Sequence, residues 1–167
     1  ADLRGLKIRT TPNPAHIRAF QLLGANPSPM PFTELFTALE TRTVDGQENP
    51  TTLILNARFY EVQRHLSLTR HAYTAGILAM SKQKWEGLQP AQRDLIQAVA
   101  DEVTPQQRAM NEEAETSSVE ELKRRGMQVV EQPDRAAFAA IVSEEVRREF
   151  AARFGAELPN AIEATRG

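Results

Sequence analysis

Leu6-Lys7-Ile8-Arg9-Thr10-Thr11-Pro12-Asn13-Pro14 decides the fold class. Leu6 and Ile8 share one face of an extended chain and Lys7 and Arg9 the other, the two-residue period of a half-buried strand. Pro12 and Pro14 deny a sheet ladder two donors, so the strand ends there. Pro14 suits the first turn of a helix, where its missing N–H costs nothing. A helix through Leu23 follows, with Ile17, Phe20 and Leu23 on one side and Gly24 as its stop. Strand passing directly into helix is the opening of an α/β chain.

The same alternation continues outward. Ala25 to Pro31 reads as a short extended stretch. A helix starts near Thr33, a suitable N-cap, with Glu34 at the positive end of the dipole and Leu35, Phe36 and Leu39 as its buried stripe. Thr43 to Pro50 is a polar loop in which Asp45-Gly46 signals a turn. A short helix covers Thr52 to Phe59, and Leu66 to Ser81 reads as extended chain. Pro90 opens a long helix with Leu95, Ile96, Val99 and Val103 at helical spacing. Pro105 predicts a kink or break around Ala100 to Pro105. Helix resumes from Gln106 to Arg125 and stops at Gly126, and Met127 to Glu131 forms a strand. Asp134 to Phe154 is a final long helix with Phe138, Ile141, Val142, Val146 and Phe150 facing inward. Pro159 to Thr165 adds one or two turns.

Composition narrows the function. Twenty Lys and Arg against 22 Asp and Glu give a net charge of −2 over 167 residues, without the basic surface that a nucleic-acid partner demands. With 41% hydrophobic and 25% charged residues, the chain can form a core and is too apolar for disorder. No apolar run approaches the roughly 18 residues of a membrane span. The longest of that kind, Ala75 to Met80, is strand-sized. Cysteine is absent, which excludes disulfides, thiolate metal clusters and cysteine nucleophiles. The chain opens at Ala1-Asp2-Leu3 with neither methionine nor an apolar leader, as expected of a processed chain or a piece of a longer one.

Five strings in order carry a resemblance: Gly5-Leu6-Lys7-Ile8-Arg9, Leu23-Gly24-Ala25-Asn26-Pro27, Pro29-Met30-Pro31-Phe32, Val44-Asp45-Gly46-Gln47-Glu48-Asn49-Pro50, and Phe59-Tyr60-Glu61-Val62-Gln63. Together they resemble the extracytoplasmic solute receptor of TRAP (tripartite ATP-independent periplasmic) transporters, DctP type, in register from Asp2 to Phe154. The resemblance implies a periplasmic-binding-protein-like α/β lobe with a mixed β-sheet, flanking helices and a long kinked connecting helix. It implies only the C-terminal half of a two-lobe receptor. By that resemblance residues 1–74 form the ligand-clamping lobe two. Residues 75–114 cross to lobe one and come back along the long helix, and 115–167 return to lobe two. Ile77, Leu78 and Trp85 would then cover a surface of the missing N-terminal half; otherwise they form the core of a compact domain. Pro105 departs from the family pattern, which carries helix formers there.

Arg9 leads the candidate site. Its planar, permanently charged fork matches a carboxylate with two parallel hydrogen bonds, and it lies near the carboxyl end of a strand, where open α/β sheets hold ligands. In the resembling family this arginine clamps an organic acid's carboxylate. Asn49 occupies the position of an asparagine near that carboxylate, or else makes a turn before Pro50. Gln47 and Glu48 would order the loop, since an unpaired Glu48 repels an anion. Phe32 either lines the cleft or completes a core stripe with Leu35, Phe36 and Leu39. Asn13 either reaches the ligand or caps the following helix. His71, with Tyr73, lies where the chain crosses between lobes and can reach the cleft. His16 and His65 lack partners at metal-ligand spacing, and no metal or cofactor is expected.

The implied function is a receptor that binds a small carboxylate between two lobes and delivers it to a TRAP membrane permease in the periplasm. The alternatives are a sensor or scaffold of the same fold, against which Arg9 and Asn49 count, and a hydrolase using His71 with Glu48 or Glu61. No nucleophile elbow or base–orienter set supports the hydrolase.

Overall fold

The computed structural model describes residues 3–74 and 76–165. Strand β1 is Lys7–Thr10, followed by helix α1, Pro14–Leu22, and strand β2, Asn26–Pro29. Asn13 caps α1, its Oδ1 accepting from the Ala15 N–H at 2.9 Å, and Pro14 takes the first turn. Gly24 ends this unit at φ +84°, a left-handed value that costs glycine little. There the Gly24 and Ala25 N–H groups reach back to the carbonyls of Gln21 and Phe20.

Phe32–Glu34 forms a single 3₁₀ turn before helix α2, Leu35–Glu40. Thr33 therefore lies inside the turn and makes no cap, because Pro31 already fixes the chain's entry. Strand β3, Gly46–Gln47, is followed by helix α3, Thr51–Asn56. That helix is shorter than expected: Arg58 turns left-handed and starts a separate 3₁₀ turn, Phe59–Glu61. Strand β4 is His65–Ser67, helix α4 Lys82–Glu86, and helix α5 Pro90–Arg124. Strand β5, Gln128–Val130, leads to helix α6, Arg135–Phe154, capped by Asp134, and helix α7, Glu157–Ala164.

The strands make two sheets, one ordered β2-β1-β3 and one pairing β4 with β5. Every pair among the described residues is parallel, where a mixed sheet was expected. The reason is connectivity, since each paired strand is reached through a helix that returns the chain to the starting edge. Gly46 opens β3 because a Cβ there would lie 3.1 Å from Ile8 Cδ1. It is close approach of neighbouring strands, and not a turn, that requires glycine.

The larger core gathers Leu35, Leu39, Val44, Ile54, Phe59 and Leu122, and a smaller one joins Ile8, Phe20 and Ala25 on the α1 side. Leu122 brings the far end of α5 into the larger core. Nearby Ser118 Oγ donates to Thr51 Oγ1 at 2.8 Å, tying α5 to α3.

Two expectations fail here. Only His65–Ser67 of the extended tract through Ser81 is strand; beyond it Tyr73, Ile77 and Leu78 are exposed, with no paired strand to fix them. Helix α5 also runs through Pro105 for 35 residues, so the break offered as an alternative to a kink does not occur. That stretch is exposed, so water can take the Asp101 carbonyl that proline leaves unpaired, and Thr104 Oγ1 donates to the Ala100 carbonyl at 2.6 Å. The expected apolar stripe of α5 is open, Leu95 being 65% exposed, and Ile141 on α6 is also exposed.

Candidate functional site

The carboxyl ends of β1, β2 and β3 lie side by side, and the loops leaving them carry most of the candidate residues. Arg9 is in the central strand and only 2% exposed. Its Nε and Nη2 donate to the Met30 carbonyl at 3.1 and 2.9 Å, which occupies one edge of the fork. Nη1 is buried with no hydrogen-bond partner. The guanidinium carbon lies 6.0 Å from the Phe32 ring centroid. Burial lowers the Arg9 pKa, and the negative charge of Glu48 partly offsets it. Among the described residues no carboxylate forms an ion pair with Arg9. A buried cation without a direct counter-ion is costly, and its open end is suited to an incoming anion.

Phe32 bridges outward from the core: 41% exposed, it packs at 5.7 Å on the ring of buried Phe59. Asn49 Nδ2 donates to Gln47 Oε1 at 2.6 Å, and Gln47 is the residue opposite Arg9 in the β1–β3 register. Arg9, Phe32, Gln47 and Asn49 thus gather at the carboxyl end of the sheet. Asn13 uses its Oδ1 on the α1 cap. His71 contacts a different group. Its Nε2 lies 3.4 Å from Glu48 Oε2 and its Nδ1 2.7 Å from Thr69 Oγ1, with its ring edge-on to Phe20 at 5.6 Å.

Glu48, read as ordering its loop, and His16, read as without partners at metal-ligand spacing, meet in the structure. His16 Nδ1 lies 3.6 Å from Glu48 Oε1 and 3.3 Å from Thr11 Oγ1, so Glu48 bridges His16 on α1 and His71 on the crossing segment. Burial pushes the Glu48 pKa up, but hydrogen bonds from the two histidines outweigh it and hold the carboxyl down at about 2. The hydrogen bond to Glu48 raises His16, with burial partly opposing. Thirty-two positions separate His16 from Glu48, so no local spacing could reveal the pair. Gln47, by contrast, was legible from the alternation Gln47-x-Asn49, which returns both residues to one face of extended chain.

These two shifts set a stability window. The lowered Glu48 contributes above its ordinary value of 4.5, and that contribution is lost as pH falls toward its folded value. The raised His16 contributes below its ordinary value of 6.5 and loses it as pH rises through its folded value. Glu48→Gln is therefore expected to destabilise most between those two values. Urea unfolding across pH checks this; a difference that widens above that window would contradict it.

Among the described residues no helix is long and apolar enough to cross a membrane, and no histidine and carboxylate side chains gather as metal ligands. Parallel strands flanked by helices and braced by one long helix make an α/β lobe of the periplasmic-binding-protein class. A family model described as bacterial extracellular solute-binding protein, family 7 (DctP), matches residues 1–153, and the chain belongs to that family. It is similar to the 2,3-diketo-L-gulonate-binding periplasmic protein of Escherichia coli K12, 41% identical over 165 residues, which cover 98% of this chain and 50% of that protein. A TRAP periplasmic solute-binding protein of Polaromonas sp. JS666, solved with D-erythronate, matches with a TM-score of 0.92 at 42% identity, over 99% of this chain and 55% of its own. One from Sulfitobacter sp. NAS-14.1, solved with β-D-galacturonate, matches at 0.86 and 30% identity, over 91% and 51%. The chain spans about half the length of the curated relatives it matches.

Proposed function

We propose that this chain is the ligand-clamping half of an extracytoplasmic receptor that captures a small organic acid in a cleft between two lobes. The observation that carries the reading is Arg9, buried at a strand's end with Nη1 unpartnered and no carboxylate among the described residues paired to it. In this reading Arg9 grips the carboxylate, Asn49 adds an amide contact and Phe32 packs on the carbon skeleton. The Asn13 side chain serves the helix cap and His71 the connection to the second lobe. Residues 1–74 and 115–167 form one lobe, and 75–114 cross to the other, whose surface covers Tyr73, Ile77 and Leu78. The receptor works in the periplasm, hands its acid to a TRAP-type permease and catalyses nothing. The acids named for the relatives, D-erythronate, D-galacturonate and 2,3-diketo-L-gulonate, support a reading of the ligand as an oxygenated carboxylate.

The test is thermal unfolding of the full-length protein with a panel of such acids. Ligand at 100 times Kd stabilises by about 2.7 kcal/mol, so one or more acids are expected to raise Tm by several degrees. Unchanged Tm across the panel, or turnover of any acid, would contradict the receptor.

A further inference from the structure

We propose that Gln47 is a positioning residue for the acid, fixing the amide of Asn49 beside Arg9; the inference rests on the receptor reading above. Gln47 is the register partner of Arg9 on the neighbouring parallel strand, and residues so paired share a face of the sheet. Asn49 returns to the Gln47 side chain, where its Nδ2 donates to Gln47 Oε1 at 2.6 Å.

That bond places the Asn49 side chain on the strand beside Arg9. An anion is met by N–H donors, and both amides carry them. With one Nδ2 hydrogen committed to Gln47 Oε1, the Asn49 side chain is tethered beside strand β3 and the second Nδ2 hydrogen remains available. The Gln47 Nε2 group also has no partner among the described residues, so the edge next to Arg9 carries further unspent N–H groups. Arg9 supplies the charge through Nη1, also unpartnered. The Met30 carbonyl holds the opposite edge of the guanidinium. Each donor at this edge thus has its own orienting acceptor, Met30 for Arg9 and Gln47 for Asn49. Without that tether Asn49 would sample other rotamers and lose its place beside Arg9.

Gln47→Met keeps the side chain's length and removes the acceptor. In the full-length protein, calorimetric titration with D-erythronate is expected to show about 3- to 10-fold weaker binding, the worth of one well-placed hydrogen bond. The same substitution in an Asn49→Ala background is expected to change Kd by less than about 2-fold, because Gln47 acts through Asn49. A merely structural role would give equal losses in both backgrounds. Equal losses, or an indifferent Gln47→Met in a wild type that binds, overturns this inference alone. Should wild type bind neither D-erythronate nor any other acid of the panel, the receptor reading falls and the inference with it.

Discussion

Arg9→Met is expected to abolish measurable acid binding, weakening it by about 10²–10³-fold, while leaving the ligand-free protein at least as stable as wild type. The two halves of that expectation have one cause. In the ligand-free protein the guanidinium is desolvated, its pKa lowered by burial, and no carboxylate among the described residues pairs with it directly. Its bonds to the Met30 carbonyl recover only part of the hydration it has lost. A methionine of similar length fills the space beside Phe32 without a charge to desolvate, and apolar replacement of buried charge is often neutral or stabilising. With ligand bound the balance reverses: the acid's carboxylate then sits in a dry pocket with no cation, and losing one partner of a buried pair costs about 3–5 kcal/mol. Titration calorimetry and thermal unfolding of wild type and variant separate the effects. A variant that still binds within about 10-fold of wild type, or that binds nothing because it no longer folds, would refute the assignment of Arg9 as the anion's grip. Arg9→Lys is intermediate, since an ammonium keeps the charge but cannot reproduce the fork.

The readability of this molecule from sequence depended on how local each signal was. Strand β1 and helix α1 were legible because alternation, Pro14 and Gly24 act within a few residues, and the structure has each where the pattern puts it. Asn13 stood open between cap and ligand contact, and the structure shows its Oδ1 capping α1. Arg9 was legible as a residue type at a strand's end; its burial was not, because that depends on Met30, Phe32 and Glu48 arriving from other loops. The Glu48 bridge was invisible for the same reason, its two histidines lying 32 residues before it and 23 after. Pro105 misled in part: a local rule predicted a kink or a break, and an exposed helix, with water to satisfy its carbonyl, does not need the break. The long apolar tract misled because β-formers make a strand only beside a partner strand.

Phe59→Ala is expected to be the most damaging single core substitution, costing about 3–5 kcal/mol and lowering acid affinity as well. The ring is 1% exposed and sits at the start of a 3₁₀ turn, where left-handed Arg58 aims it into the larger core. Truncation there leaves a cavity bounded by α2, α3 and α5, elements whose own hydrogen bonds prevent them from collapsing inward to fill it. Domains are stable by only about 5–15 kcal/mol, so such a loss removes a large share of the total. The second consequence follows from the neighbours. Phe32 leans on Phe59 at 5.7 Å, and Phe32 in turn is the aromatic beside the Arg9 guanidinium. Without Phe59 beneath it, Phe32 gains rotamers and no longer holds the wall against which the guanidinium is packed. Phe32→Ala isolates that step: its ring is 41% exposed, so it should cost less stability than Phe59→Ala while reducing affinity at least as much. Urea unfolding and acid titration of both variants, each in the full-length protein, test the chain of contacts. If Phe59→Ala lost less than about 1.5 kcal/mol, below the range for a buried aromatic truncated to alanine, the packing of the core beneath the site would be wrong. If it lost stability and kept full affinity, the path from Phe59 through Phe32 to Arg9 would be the part that fails.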